Sequence, residues 1–293
     1  MTIDLSQLPA PALVEELDFE TLYQAALADF RALMGDAWTA ALESDPVVKL
    51  LEHTAYLELR YRARVNDAAV ASMLPYASGT DLDNRAADFG VSRLLVSPGD
   101  ADAIPPVAPV WEADERLRLR AQMALEGLSV AGSRGAYVFH ALSASADVAD
   151  VVVDSPAGGD VNVWVLDRRS DGVPDMALLA TVQAALSAET IRPLCDRVDV
   201  RAGVPLTCAV MATIEFEEGG EAASGGLAAA RQRLEVLLRD RRRLGAVLSR
   251  SAIDAALHVT GVRRVALAAP AEDVVCALGE FPLATTISLE RWI

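Results

Sequence analysis

One cluster of acidic residues in this sequence has the composition of a catalytic site. Two carboxylates that face each other across a cleft can act as general acid and general base, and four stand close together here: Glu215, Glu217, Glu218 and Glu221. They border a pair of glycines, and side chains beside such a loop usually face water. A solvated loop is therefore the simpler interpretation, and a hydrolase that uses residues 215–221 is the alternative.

The other candidates for chemistry form no recognised motif. His53, His140 and His258 are isolated, because no second histidine and no metal-spaced pair of carboxylates accompanies any of them. Residues 79–84 carry acids as a calcium loop does, but the glycine in place and the closing glutamate of that loop are absent. Helix capping explains these acids better. The sequence therefore predicts no catalytic residue, no cofactor and no metal site.

The composition argues against nucleic-acid binding and membrane insertion. The net charge is −16, and Lys49 is the only lysine among 26 basic residues, whereas phosphate binding needs a concentrated positive surface. No apolar run approaches the roughly 18 residues that span a bilayer, and the acidic first residues do not resemble a secretory signal. Three widely spaced cysteines fit a reducing cytoplasm. A basic cluster at residues 239–243 ends a predicted helix, where it can face water or an acidic partner.

Apolar residues at three- and four-residue steps predict a first helix over about residues 18–34, closed by Gly35. Its stripe needs a surface to cover it: Phe19, Leu22, Tyr23, Leu27, Phe30 and Leu33. Two explanations account for this stripe equally well. It can pack on the second helix of the same chain, or it can join a helical bundle with neighbouring subunits. A further short helix is expected around residues 36–42.

The second helix is predicted over about residues 46–74, because an Asp-Pro pair suits its start and Pro75 stops it. It is amphipathic. Its apolar positions include Val47, Leu50, Leu51, Leu57, Tyr61 and Val65. Its polar face is expected to carry Glu52, Glu58, Arg60, Arg62, Arg64, Asn66 and Asp67. A short helix capped by Thr80 or Asp81 follows, and these N-terminal helices occupy residues 1–96.

The rest of the chain predicts an α+β fold with mixed or antiparallel sheets. Residues 97–131 hold four prolines before residue 110, which predict an extended arm, and then a helix over about 113–126. The order helix, hairpin, helix, strand predicts a small α+β domain over residues 132–204. Residues 205–293 predict a second one, with a glycine-rich loop after its first strand.

The two α+β segments also share a faint internal similarity. Ser133-Arg134-Gly135-Ala136 resembles Ser249-Arg250-Ser251-Ala252, and each is followed by a valine-rich strand and a Pro-Ala pair. This pattern favours a duplicated unit of one helix and one hairpin.

Several irregular stretches carry a family resemblance. They read DPVVKLLEHTAYLELRYRARVNDAAVASMLPYASGTDLDNRAADFGVSRL, GSRGAY, IRPL and LGAVLSRSAIDAALHVTGVRRVALAAP. In this order they resemble the baseplate assembly protein J family of contractile-tailed phages, and the matches run from about residue 17 to residue 290. That family often has proline where this chain has Ser133, a difference that concerns only the local turn.

The resemblance implies a structural protein of the baseplate wedge, located in the virion tail and assembled in the cytoplasm of the host bacterium. Its implied partners are other copies of itself, a tail protein I-like wedge protein, and hub, sheath-initiating or other baseplate proteins. The family is not known for enzymes, so the resemblance implies no catalytic role.

The resemblance also bears on the two helices. It makes the stripe of the first helix a partner-facing seam in a core bundle, and the second helix a stem that leads to the α+β domains. It makes Arg60, Arg62 and Arg64 candidate contacts for acidic neighbours, with a solvated helix face as the alternative. It implies that the C-terminal α+β domain contacts neighbouring subunits and links wedges into a ring around the hub.

Overall fold

The computed structural model describes Leu5, Leu8 and residues 15–38, 42–129 and 131–292. The α+β class expected from the sequence is confirmed. The chain forms two compact units, which we call the N-terminal unit (Met1–Arg93 with Ala113–Gln122) and the C-terminal unit (Leu94–Glu112 with Met123–Ile293). Within the described ranges, no helix combines the length and the apolarity that crossing a membrane requires. The division into segments 1–96, 97–131, 132–204 and 205–293 stays a prediction.

The N-terminal unit is helical, and its helices begin where capping residues supply hydrogen bonds. The Asp18 carboxylate accepts hydrogen bonds from the first turn of α1, and Asp45 Oδ1 accepts one from Val47 N at 2.8 Å at the start of α2. The third helix begins two or three residues earlier than predicted, with Ser78 at its cap position and no hydrogen bond from the Ser78 side chain. The helices are α1 (Phe19–Met34), α2 (Pro46–Ala71), α3 (Gly79–Ala87) and α4 (Asp114–Met123, of which residues up to 122 belong to this unit). The helix expected around 36–42 lies partly outside the described residues, and Gly35–Ala37 form a 3₁₀ turn.

Polar contacts tie α4 to α3 and to the end of α2. Asp114 accepts a hydrogen bond from Gly79 N at 3.0 Å and forms an ion pair with Arg93 at 2.7 Å. Arg118 donates to the carbonyl oxygens of Leu74 and Ala77 at 3.0 and 2.7 Å. These contacts satisfy backbone carbonyls in the turn between α2 and α3 and hold that turn against α4.

The C-terminal unit starts with a two-stranded arm. Its strands β1 (Leu95–Ser97) and β2 (Val110–Trp111) are antiparallel. The proline-rich residues between them are held by a bridge from Asp100 to Val107. The sequence did not predict strands here, because proline removes backbone donors from a sheet. The two strands form before the first and after the last of these prolines.

A first sheet follows, in the order β3-β4-β5. The predicted hairpin is confirmed, because β3 and β4 are antiparallel, and β5 is parallel to β4. Val163 and Val165 of β4 face the core, where they pack against Val182 and Leu186 of helix α6 (Met176–Leu186). The elements are α5 (Arg134–Ala144), β3 (Val148–Ala157), β4 (Asp160–Asp167), α6 (Met176–Leu186) and β5 (Arg197–Ala202).

The second sheet has the order β10-β6-β8, with β8 antiparallel and β10 parallel to the central strand β6. The predicted second hairpin is therefore wrong, because β6 lies between β8 and β10. The predicted glycine-rich loop is also wrong in part, since residues 220–224 are helical. The elements are β6 (Val204–Phe216), α7 (Gly220–Ser224), α8 (Gly226–Arg241), β7 (Val247–Leu248), α9 (Arg250–Leu257), β8 (Val262–Ala269), β9 (Val274–Val275) and β10 (Glu280–Arg291).

The helix part of the internal similarity has a physical counterpart. Ser133 Oγ accepts a hydrogen bond from Ala136 N at 3.2 Å, and Ser249 Oγ accepts one from Ala252 N at 3.2 Å. The two similar tetrapeptides thus encode the same N-cap for α5 and α9.

A small apolar core joins the two sheets of the C-terminal unit. Leu166, Leu244 and Phe281 are buried together, and Asp150 Oδ2 accepts a hydrogen bond from Leu244 N at 2.9 Å. Gly203 alone separates β5 from β6, and a Cβ there would lie 2.9 Å from Leu244 Cδ2 and 3.1 Å from the Val165 oxygen. The two sheets therefore share contacts that separate domains on a flexible linker would lack.

Candidate partner-binding surfaces

Helix α1 is positioned by its own cap. Asp18 Oδ1 accepts a hydrogen bond from Glu20 N at 3.2 Å, and Oδ2 accepts one from Thr21 N at 3.1 Å. The Thr21 hydroxyl also donates to this carboxylate. These bonds, led by the one from the hydroxyl, lower the pKa of Asp18, so that the cap is charged at neutral pH and favours the helix N-terminus.

The structure divides the six candidate residues of α1. Leu22 and Leu27 are buried, at 6% and 5% exposure, in a helix that packs along α2. Tyr23 and Phe30 are half-buried, and Phe30 meets Trp38 edge to face at 5.2 Å. Phe19 is 37% exposed and Leu33 is 85% exposed. Packing within the chain therefore uses Leu22 and Leu27, while Leu33 is left for another surface. The seam as a whole stays a prediction.

Helix α2 buries a different face from the one that its apolar stripe suggests. Its buried residues are Val48, Ala55 and Asn66, at steps of seven and eleven residues that return to one side of a helix. Asn66, expected on the polar face, pairs with the backbone of Glu15, with N···Oδ1 at 2.9 Å and Nδ2···O at 2.8 Å. A buried polar side chain thus replaces an apolar one on the covered face.

The opposite side of α2 carries an exposed apolar stripe. Leu50 is 65% exposed, Tyr61 67% and Val65 58%, and we call these three residues the outward stripe. Position 50 lies about half a turn from Val48, so the stripe points away from the face that α1 covers. Sequence periodicity identified these residues as apolar, but it did not show that the chain would leave them uncovered.

The three candidate arginines of α2 have different environments. Arg62 forms ion pairs with Glu58 at 2.6 Å and Glu15 at 3.1 Å, both in this chain. The guanidinium of Arg60 lies over the Tyr56 ring, 6.0 Å from its centroid. Arg64 is exposed and lines a shallow concavity of about 710 Å³ between α2 and α3. The structure therefore uses Arg62 internally, and exposes Arg60 and Arg64 near the outward stripe.

The acidic cluster at residues 215–221 does not form an enclosed site. Glu215 pairs with Arg263 at 3.3 Å, and Glu221 pairs with Arg291 at 3.2 Å. Glu217 and Glu218 are exposed at the rim of an open depression of about 860 Å³. Two of the four acids are thus engaged by arginines, and the other two face water.

His140 and Asp83 make contacts within the fold, whereas His53 and His258 are exposed. His140 is half-buried and its Nε2 lies 3.1 Å from the Gly127 oxygen, and burial lowers its pKa. Asp83 forms an ion pair with Arg93 at 2.7 Å. Among the described residues, no group of three or more histidine, cysteine or acidic side chains is arranged to hold a metal ion.

The chain matches known proteins over most of its length. Three family models match the chain: the baseplate J-like N-terminal domain over residues 43–100, the central domain over 129–202 and the C-terminal domain over 209–290. Baseplate protein J of Escherichia phage P2 is 47% identical over 279 residues, which cover 93% of this chain and 92% of that protein. The chain belongs to the baseplate J-like protein family. The resemblance inferred from the sequence is thereby confirmed.

Membership of the baseplate J-like family supports a structural role in a bacteriophage baseplate, and hence a place in the virion tail. The central-domain match covers α5 to β5, and the C-terminal match covers most of the second sheet. The N-terminal match begins after α1, so the α1 stripe lies outside the matched ranges, whereas the outward stripe of α2 lies inside them.

Proposed function

We propose that this protein is a scaffold of the baseplate wedge, and that its N-terminal helices join helices of neighbouring subunits in a bundle. Those subunits are other copies of this chain and a tail protein I-like partner. The chain then links wedges into a ring around the hub, in contact with hub or sheath-initiating proteins, and the wedge assembles in the host cytoplasm. The proposal assigns no catalytic role.

The observation that carries this proposal is the outward stripe of α2. Three large side chains more than half exposed on one helix face are costly to leave in water, and such faces commonly mark sites of protein association. Burial of a whole leucine side chain contributes about 1.5–3 kcal/mol, so covering the exposed 65% of Leu50 contributes about 1–2 kcal/mol. A neighbouring helix is the element whose apolar ridge fits such a stripe.

Arg60 and Arg64 indicate the charge of the neighbour. Each lies within a helical turn of Tyr61 and presents a guanidinium at the surface. Acidic residues on a neighbouring subunit would pair with these arginines. Such pairs mainly raise the association rate and fix the orientation of the two subunits, and they add less to the binding affinity. A second copy of this chain would have to present acidic residues locally at this face, because two copies with a net charge of −16 repel each other at long range.

The test combines assembly in cells with purified components. Leu50→Glu with Tyr61→Glu keeps residues of good helix propensity and places charge in the stripe. We expect the double variant to retain the circular dichroism of the parent, but to lose co-purification with the tail protein I-like partner and to fail to complement a phage that lacks the gene. The matched control is Met176→Glu with Val275→Glu, at positions 81% and 64% exposed on the C-terminal unit.

Two outcomes would decide against the proposal. Complete tails from a phage that lacks this chain would exclude a role in the baseplate. Normal co-purification and complementation by the stripe variant would show that α2 does not carry the partner contact.

A further inference from the structure

The two-stranded arm at the start of the C-terminal unit (residues 95–111) exposes apolar side chains along its length. Ile104 is 100% exposed, Val107 is 53% exposed, and Val110 and Trp111 are both 51% exposed. Single exposed apolar residues are common on protein surfaces, but several of them on one short segment mark a site of association. Neither the fold nor the proposed function above uses these side chains.

The arm holds its shape through its own backbone. Asp100 and Val107 exchange two backbone hydrogen bonds, each of 2.8 Å. The Asp100 carboxylate also accepts hydrogen bonds from Asp102 N at 3.0 Å and Ala103 N at 3.2 Å. A Cβ on Gly99 would stand 2.5 Å from the Val107 oxygen, so the two sides of the arm approach closely. A segment that is ordered before it binds loses less entropy when it binds.

The charge of the arm has one sign. Residues 94–112 include Asp100, Asp102 and Glu112, and they include no lysine, arginine or histidine. Glu112 is buried, and its Oε2 accepts a hydrogen bond from Leu94 N at 3.2 Å. The exposed charge therefore comes from Asp100 and Asp102, both within four residues of Ile104. A surface that fits this arm has to combine an apolar site with nearby cations.

We propose that the arm docks into an apolar groove with a basic rim, on a baseplate subunit other than this chain. Ile104 is the apolar anchor of the contact, and Asp100 and Asp102 pair with lysine or arginine side chains of the rim. The inference rests on the proposed function, because it adds a second partner-binding surface to a baseplate scaffold.

Charge argues against a second copy of this chain as the occupant. A copy with a net charge of −16 repels an acidic arm at long range. The family matches also separate the arm from the shared domains, since the N-terminal match ends at residue 100 and the central match begins at residue 129. Ile104 and Trp111 lie between these ranges, so their contact is an addition to what the matched domains provide.

Photo-crosslinking in assembled tails tests the occupant. The full chain carries the photo-reactive residue benzoylphenylalanine at position 104 and supplies the function of a phage that lacks the gene. On irradiation, we expect position 104 to cross-link to one other baseplate subunit, at a peptide with more lysine and arginine than aspartate and glutamate. The control places the same residue at position 176, where Met176 is 81% exposed in the same unit, and should not label that peptide.

Competition between chains tests the energetics. In cells that make both chains at equal levels, we expect tails to contain about tenfold less of the variant Ile104→Ser with Asp102→Lys than of the parent, the loss that one apolar anchor carries. The matched control is Met176→Ser with Glu189→Lys, which makes the same chemical changes at exposed positions of the same unit and should be incorporated like the parent. The purified arm variant should keep the urea midpoint of the parent. An acidic substitution in the cross-linked basic peptide should restore incorporation of Asp102→Lys.

Four results would overturn the inference. They are a position 104 that cross-links no better than position 176, a cross-link to another copy of this chain, a cross-linked peptide without an excess of basic residues, and an arm variant that enters tails as well as the parent. The proposed function fails separately, because it is refuted only by complete tails in the absence of the chain or by normal assembly of the Leu50→Glu and Tyr61→Glu variant.

Discussion

The small core between the two sheets of the C-terminal unit predicts how that unit unfolds. Phe281 is fully buried between Leu166 and Leu244. If this core couples the sheets, then the slowest-exchanging amides of β4 and β6 should open with the same free energy in the parent protein, because they are lost in one cooperative event.

Phe281→Ala should remove that coupling. Replacement of a buried phenylalanine by alanine costs about 3–5 kcal/mol, and the cost rises with the size of the cavity that remains. The cavity here cannot close easily, because the ring lies against backbone. A Cβ on Gly172 would stand 3.0 Å from Phe281 Cε2, and one on Gly203 would stand 3.3 Å from Cδ1. We therefore expect a loss at the upper end of that range, about 4–5 kcal/mol.

Hydrogen exchange followed by mass spectrometry measures this loss for each sheet separately. In Phe281→Ala, the opening free energies of β4 and β6 should both fall and should then differ from one another. Met211→Ala, at a position 43% exposed on β6, is the control and should change neither by more than about 0.5 kcal/mol. The reasoning is refuted if β4 and β6 already open independently in the parent, or if Phe281→Ala costs less than about 1 kcal/mol.

Two further predictions follow from single contacts of the C-terminal unit. Burial lowers the pKa of His140, so its contribution to stability is complete above the usual pKa of 6.5 and is lost as pH falls through the lowered value. The free energy of urea unfolding should differ less between pH 7.5 and pH 5 in His140→Gln than in the parent protein. The glutamine amide can still donate to the Gly127 oxygen, so that only the titration is removed. An unchanged difference in the free energy of unfolding would contradict this prediction. Ser249→Ala removes the acceptor for Ala252 N and should lower the free energy of unfolding by about 1 kcal/mol. Ser133→Ala should cost about the same at the matching cap, and urea midpoints that do not move would argue against both caps.

Much of the local structure could be predicted from the sequence, because the signals for it lie within a few residues of one another. Asp18 and Asp45 begin α1 and α2 where the apolar periodicity starts. The alternating valines of β3 and β4 and the glycine-containing turn between them identify the hairpin. A serine three residues before an alanine begins α5 and α9 alike.

The sequence showed that four acidic residues lie close together in the cluster at residues 215–221, but it did not show their surroundings. Whether such carboxylates act as a pair depends on burial and on what faces them, and both come from remote parts of the chain. Arg263 and Arg291, which pair with Glu215 and Glu221, come from strands β8 and β10. The sequence itself showed that these acids form no recognised catalytic motif. Only the structure showed that they border an open depression.

The sequence by itself determined the periodic helices and strands, the acidic charge and the family, because each depends on residue types and their order. Only the tertiary structure decided which apolar faces are covered. Periodicity places Val48 and Leu50 on two sides of α2, but it does not say that α1 packs on the first and leaves the second exposed. It likewise could not place β6 between β8 and β10, because strand pairing over such separations is settled by packing. The candidate partner-binding surfaces are therefore the apolar faces that stay exposed once the chain has packed on itself.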